Sequence, residues 1–176
     1  MNIFMLDTCP RKAAQAHIDR HVVKMLIEYA QILSAVHHLW DDPNDIPVEI
    51  YKLTHKNHPS VKWASKSRAE YIWLRELWTE LHIEYIYRYG AGKADPRHAS
   101  VKKLFAPLYF PPSKMPGVPL ATATPYMAKE FQAVGPDLKH IDPVEAYREY
   151  YRTTKQFDAK GNPMAKWTKR GKPEWF

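Results

Sequence analysis

Near the start of the chain, two histidines, a lysine and a glutamate fall on a helical repeat in the string His17-Ile18-Asp19-Arg20-His21-Val22-Val23-Lys24-Met25-Leu26-Ile27-Glu28. The spacing i, i+4, i+7, i+11, i+14 predicts that His17, His21, Lys24, Glu28 and Gln31 share one stripe of a helix. That stripe runs beside the apolar positions, at the rim of a core, where burial shifts proton affinities. Imidazoles, an amine and a carboxylate placed there suit proton transfer. A partly desolvated Lys24 beside His21 would in addition serve as a nucleophilic amine. The plain alternative is a solvated face with a Lys24–Glu28 pair. His17 and His21 also have the spacing of a helical metal pair, but no glutamate lies between them and no third ligand follows at a diagnostic distance. No metal and no cofactor are therefore expected.

Two further clusters carry polar chemistry. His55, Lys56, Asn57 and His58 precede Pro59-Ser60, so they stand at the mouth of a helix whose free N–H groups attract anions. Arg68 and Tyr71 lie further along and would extend a phosphate pocket; ordinary helix capping is the alternative. The third cluster is Tyr147, Arg148, Tyr150, Tyr151 and Arg152, then Lys166, Trp167, Lys169, Arg170, Lys172, Trp175 and Phe176. Cations hold phosphates and rings stack on bases, so this pattern suits a nucleic-acid strand. Alternatively, the tryptophans anchor the tail while the lysines face water.

The elements that position these groups are helical. Val22, Met25, Leu26, Tyr29, Ile32, Leu33 and Val36 recur at helical spacing and predict a first helix over 10–38. A second is expected from Pro59 to Tyr89, with Trp63, Tyr71, Leu74, Trp78, Leu81 and Tyr85 in one stripe. There Ile72, Trp73, Ile83, Ile86 and Tyr87 widen the apolar surface enough to predict burial on more than one side. Gly90 should end it in the left-handed conformation. A short helix over 96–106 should follow, then a proline-rich wrap over 107–119. A helix start is expected at Thr124-Pro125, and another at Asp142-Pro143-Val144-Glu145, where a capping residue precedes a glutamate by three. Residues 157–176 read as a basic, aromatic tail. The expected fold is a mainly α single domain of four to five helices with a long central aromatic helix.

Composition sets the outer bounds. With 176 residues the chain is long enough for one proper core. Lys and Arg outnumber Asp and Glu by 26 to 19, a formal charge of +7, so the average potential favours polyanions. The segment from Met1 to Asp7 has no basic region and meets an acid too early for a signal peptide, and no apolar run reaches membrane-spanning length. Cys9 is the single cysteine, which excludes an internal disulfide framework. A soluble, cytoplasmic protein that acts on DNA or a nucleotide and no membrane is the expectation.

Three strings, His17-x-x-x-His21-x-x-Lys24, Asn57-His58-Pro59-Ser60, and Tyr71-x-Trp73-Leu74 through Glu84-Tyr85 to Arg88-Tyr89-Gly90, resemble in order and spacing the phage-type pyrimidine dimer DNA glycosylases. The likeness covers about half of the chain. It implies an all-helical DNA repair enzyme in which an amine attacks C1′ of a damaged nucleotide, a Schiff base forms, and β-elimination cuts the strand. The family's amine is an N-terminal one exposed by loss of the initiator methionine, and Lys24 stands where the family has its catalytic glutamate. The residues themselves therefore make Lys24 the candidate amine, Glu28 and His21 the acid or base, and His17 and His58 the groups that orient a phosphate or sugar. Two rival functions fit the same residues: a transferase or hydrolase acting on a nucleotide or modified base, and a non-catalytic binding module.

Overall fold

The computed structural model describes residues 1–119 and 142–176, and the expected helix start at Thr124-Pro125 lies outside them. The described residues form six helices: α1 (Pro10–Ala16), α2 (Asp19–Trp40), α3 (Pro59–Ala64), α4 (Arg68–Tyr89), α5 (Ala99–Leu104) and α6 (Pro143–Thr154). They make one compact, mainly α domain. The core face expected of the first helix is confirmed, since Val22, Met25, Leu26, Tyr29, Ile32, Leu33 and Val36 are all buried. The central aromatic helix is α4, which packs against both α1 and α2. No helix among the described residues is long and apolar enough to cross a membrane.

Two of the expected helices are broken, and tertiary partners explain where. The first is interrupted at His17 and Ile18, both extended. The carbonyls that a continuing helix would use are taken by side chains instead. His17 Nδ1 donates to Ala13 O at 2.7 Å, Arg88 donates to the carbonyls of Gln15 and His17, and Trp167 Nε1 donates to Ala16 O. Buried carbonyls need partners, and here distant residues supply them. The second helix is interrupted at 65–67, where Ser67 takes an extended conformation and caps α4 by accepting from Ala69 N–H. Its hydroxyl also donates to the Glu70 carboxylate. Ser67-Arg68-Ala69-Glu70 is thus a serine cap with glutamate three residues on, a start signal inside what reads as continuous helix.

α4 also departs from its expected amphipathicity. Ile83 and Tyr87 are exposed, whereas Glu70, Glu84 and Arg88 are buried. Gly90 ends α4 with φ −83°, in the right-handed region, not the left-handed one expected. Its small size is needed for another reason: a Cβ there would come within 2.5 Å of Ile86 O and 2.9 Å of Pro96 Cβ. The short third helix is trimmed to 99–104, capped by His98. Asp142 caps α6 as its sequence predicts, accepting from Val144 N–H at 3.0 Å.

Candidate functional site

The chain enters as a buried segment, Ile3 to Leu6, threaded between α2 and α6. Phe4 N–H donates to Tyr29 Oη, while Asn2 Oδ1 accepts from its neighbour's Ile3 N–H and from Tyr147 Oη at 3.0 Å. These bonds deliver Met1 to the side of α2, where its amine lies 3.8 Å from Glu28 Oε2. Lys24, one turn earlier, reaches the other oxygen at 3.1 Å. Two amines therefore meet one carboxylate. Their environments differ: the Met1 and Glu28 side chains are 8 % and 15 % exposed, Lys24 60 %. The desolvation expected of Lys24 is absent, because its stem points away from the core.

His58 sits beside this group. It caps α3 by accepting the Ser60 N–H on Nδ1, so its ring proton is on Nε2. Burial is the first cause that lowers its pKa, followed by the positive Met1 amine and His55; the Glu28 carboxylate opposes them. Glu28 and His58 thus share one electrostatic neighbourhood.

The two early histidines do not join them. His17 is fully buried, donating to Ala13 O, so its Nε2 must accept from Tyr29 Oη at 2.9 Å. Phe4 N–H, Tyr29 and His17 form a chain in which every proton has one place. Burial lowers the His17 pKa to about 4. His21 is stacked on Phe4, with centroids 4.5 Å apart, and meets Tyr151 Oη through Nδ1 at 2.6 Å. Burial and then the charge of His17 lower its pKa to about 2. Both are neutral core histidines. The single polar stripe is corrected: the break at His17-Ile18 removes His17 from the helical repeat, and His21 turns inward while Lys24 turns outward.

Of the remaining expected binding residues, His55, Lys56 and Asn57 are exposed in the loop before α3, His55 with φ 53°. Arg68 does not extend a phosphate pocket; it donates to the carbonyls of Ser113 and Met115 and so pins the proline-rich segment. Tyr71 is buried, with its hydroxyl between His37 Nε2 and Leu108 O. Arg148 donates to Leu6 O and Glu145 and lies over the Trp175 ring. Arg170 grips Glu84 through Nε and Nη2, and Lys169 Nζ donates to Tyr87 O. Lys166 and Lys172 are exposed. The tail is therefore strapped to the core, with Trp167 buried and Thr168 bonded to Asp19.

A cleft of about 470 Å³ lies under the end of this strap, lined by Lys12, Gln15, Arg148, Arg170, Glu174 and Trp175 among others. Sequence reasoning missed two buried charge networks: Glu84, Arg88, Asp19 and Arg170 on one side, and Asp41, His37 and Tyr71 on the other. Each contains an i, i+4 pair of opposite or complementary polarity, Glu84–Arg88 and His37–Asp41, which was the available signal. Among the described residues no group of three His, Cys, Asp or Glu side chains is arranged to hold a metal ion. No protein-family model, curated protein or solved structure matches the chain.

Proposed function

We propose that the protein is a DNA-acting base-excision enzyme of the glycosylase and lyase type, with Glu28 at the centre of its site. The observation that carries this reading is the convergence of the Lys24 and Met1 amines on one shielded carboxylate beside His58. Imine chemistry needs an amine and a group that moves its proton, within hydrogen-bond reach of each other. In the proposed reaction the amine nitrogen bonds to C1′ as the bond from C1′ to the base breaks. Glu28 takes the proton the amine loses and passes it to the departing base. The resulting aminal opens to an imine as its C1′–O4′ bond breaks, O4′ taking the remaining amine proton through Glu28; Glu28 then accepts a C2′ proton as the C3′–O bond breaks, and the 3′ phosphate leaves with the bonding pair, which cuts the strand.

The two amines divide the labour of the proposal. Lys24 is exposed, whereas the Met1 side chain is largely buried. The N-terminal amine of the pyrimidine dimer glycosylases is exposed only once the initiator methionine is lost, so the likeness does not extend to the Met1 amine, and Lys24 is the candidate nucleophile.

Borohydride trapping on DNA carrying abasic sites or pyrimidine dimers tests the proposal. A covalent adduct is expected for the protein, and its loss in Glu28→Gln. Persistence in Lys24→Ala combined with loss in a form extended ahead of Met1 assigns the Met1 amine; the converse assigns Lys24. Absence of any adduct on either substrate overturns the imine mechanism.

A further inference from the structure

The surface at the end of α5 breaks the usual rule for large apolar side chains. Phe105, Tyr109 and Phe110 are all exposed, Phe110 by 73 %, and they touch one another instead of scattering. The Phe105 and Tyr109 centroids are 5.6 Å apart, and Tyr109 and Phe110 meet edge to face at 4.8 Å. Single exposed apolar residues need no explanation, but contiguous exposed rings mark a binding surface.

Cations accompany the rings. The Arg75 guanidinium, from α4, lies over the Tyr109 ring at 5.0 Å from its centroid. It is poorly matched with acceptors among the described residues: Nη2 is 3.6 Å from Glu76, and its buried Nε has no hydrogen-bond partner there. A buried donor left without an acceptor is rare enough to require a reason. Lys102 and Lys103 are exposed on the helix that leads into the rings, Lys102 paired with Asp95. Phosphates would answer the unmatched cations, and planar bases would answer the rings.

We infer that Phe105, Tyr109 and Phe110, with Arg75 and Lys103, form a stacking surface for single-stranded nucleic acid. Bases stack on exposed rings without regard to sequence, while neighbouring cations hold the backbone. Duplex DNA hides its base faces, so this surface takes an unpaired segment. The inference shares with the proposed function a nucleic-acid partner, but it uses none of the residues around Glu28.

Titration of a labelled single-stranded oligonucleotide, and of the same sequence as a duplex, tests it. Phe110→Ala and Tyr109→Ala are each expected to weaken single-strand binding by roughly 5- to 150-fold and duplex binding far less. Phe110→Tyr should restore it, because a phenol ring stacks as well. Lys103→Gln should reduce the salt slope for single strands by about 0.7. Unaltered circular dichroism is expected of the Phe110 variants, since that ring is mostly in water. Unchanged single-strand affinity in both alanine variants overturns the inference. So does concentration-dependent self-association abolished by Phe110→Ala, which would give the surface to a second copy. Failure to trap an imine while Phe110 still governs single-strand binding defeats only the excision reading; an imine trapped with no role for Phe110 defeats only this one.

Discussion

Arg88 lies one turn after Glu84 on α4 and donates from Nε to its Oε1 at 2.7 Å, with both side chains shut off from solvent. The remaining donors of Arg88 go to Asp19 and to the carbonyls of Gln15 and His17, while Glu84 also receives Arg170. Helix α4, the junction of α1 and α2, and the tail are thereby held at one ionic hub. Removing one member leaves a buried charge without its counterpart. Arg88→Met is expected to destabilise the protein by about 3–5 kcal/mol, measured by urea unfolding. A variant as stable as the parent would show that the hub contributes only geometry.

Stability should fall with acid in a defined window. His17 and His21 are neutral when folded, with pKa values near about 4 and about 2, but would titrate near 6.5 once unfolded. Below pH 6.5 the unfolded chain binds protons that the folded one refuses. Each histidine then removes up to about 1.4 kcal/mol per pH unit, His17 until about pH 4 and His21 further down. Urea midpoints measured between pH 7 and pH 4.5 should decline, and less steeply in His17→Gln. An equal slope in that variant would exclude His17 as the source.

Gly90→Ala should destabilise by about 1–3 kcal/mol even though its backbone angles suit alanine. The cause is contact, since the added carbon would press on Ile86 O and Pro96. Truncating Pro96 to glycine alongside it should recover part of the loss, and thermal melts of the single and double variants decide the point.

The basic tail should separate into two kinds of residue. Arg170→Gln is expected to lower the melting temperature, because it removes one of the two guanidinium partners of the buried Glu84. Neutralising the exposed Lys166 and Lys172 together should leave melting unchanged and reduce the salt slope for duplex DNA by about 2, if both face phosphates. Trp167→Ala should cost about 3–5 kcal/mol through lost burial and the lost bond to Ala16 O.

What could be read from the sequence followed from side chains that act through their own helix. The apolar face from Val22 to Val36 and the cap at Asp142 depend on local spacing, and both are found as expected. The break at His17-Ile18 was hidden because its causes, Arg88 and Trp167, lie 71 and 151 residues from their acceptors. The same holds for the candidate site. Glu28 and His58 each belong to a polar cluster visible in the sequence, but nothing local tells that they meet or that His21 turns inward onto Phe4. Arg68 looked like a phosphate ligand until the proline-rich segment supplied it with carbonyls. The cap at Ser67 was legible in Ser67…Glu70 and was masked by the strong apolar repeat around it.

The bond from Asp19 N–H to Lys166 O, at 2.8 Å, has a consequence for the order of events on the ribosome. The start of α2 receives its acceptor, and Asp19 its Thr168 donors, only after residues 166–168 have been made. The junction of α1 and α2 can therefore complete its hydrogen bonds only when the strap through Trp167 has emerged, which makes these contacts among the most non-local in the fold. A nascent chain stalled before Lys166 should remain open to proteolysis around Ala16 to Asp19, and become resistant there when synthesis resumes.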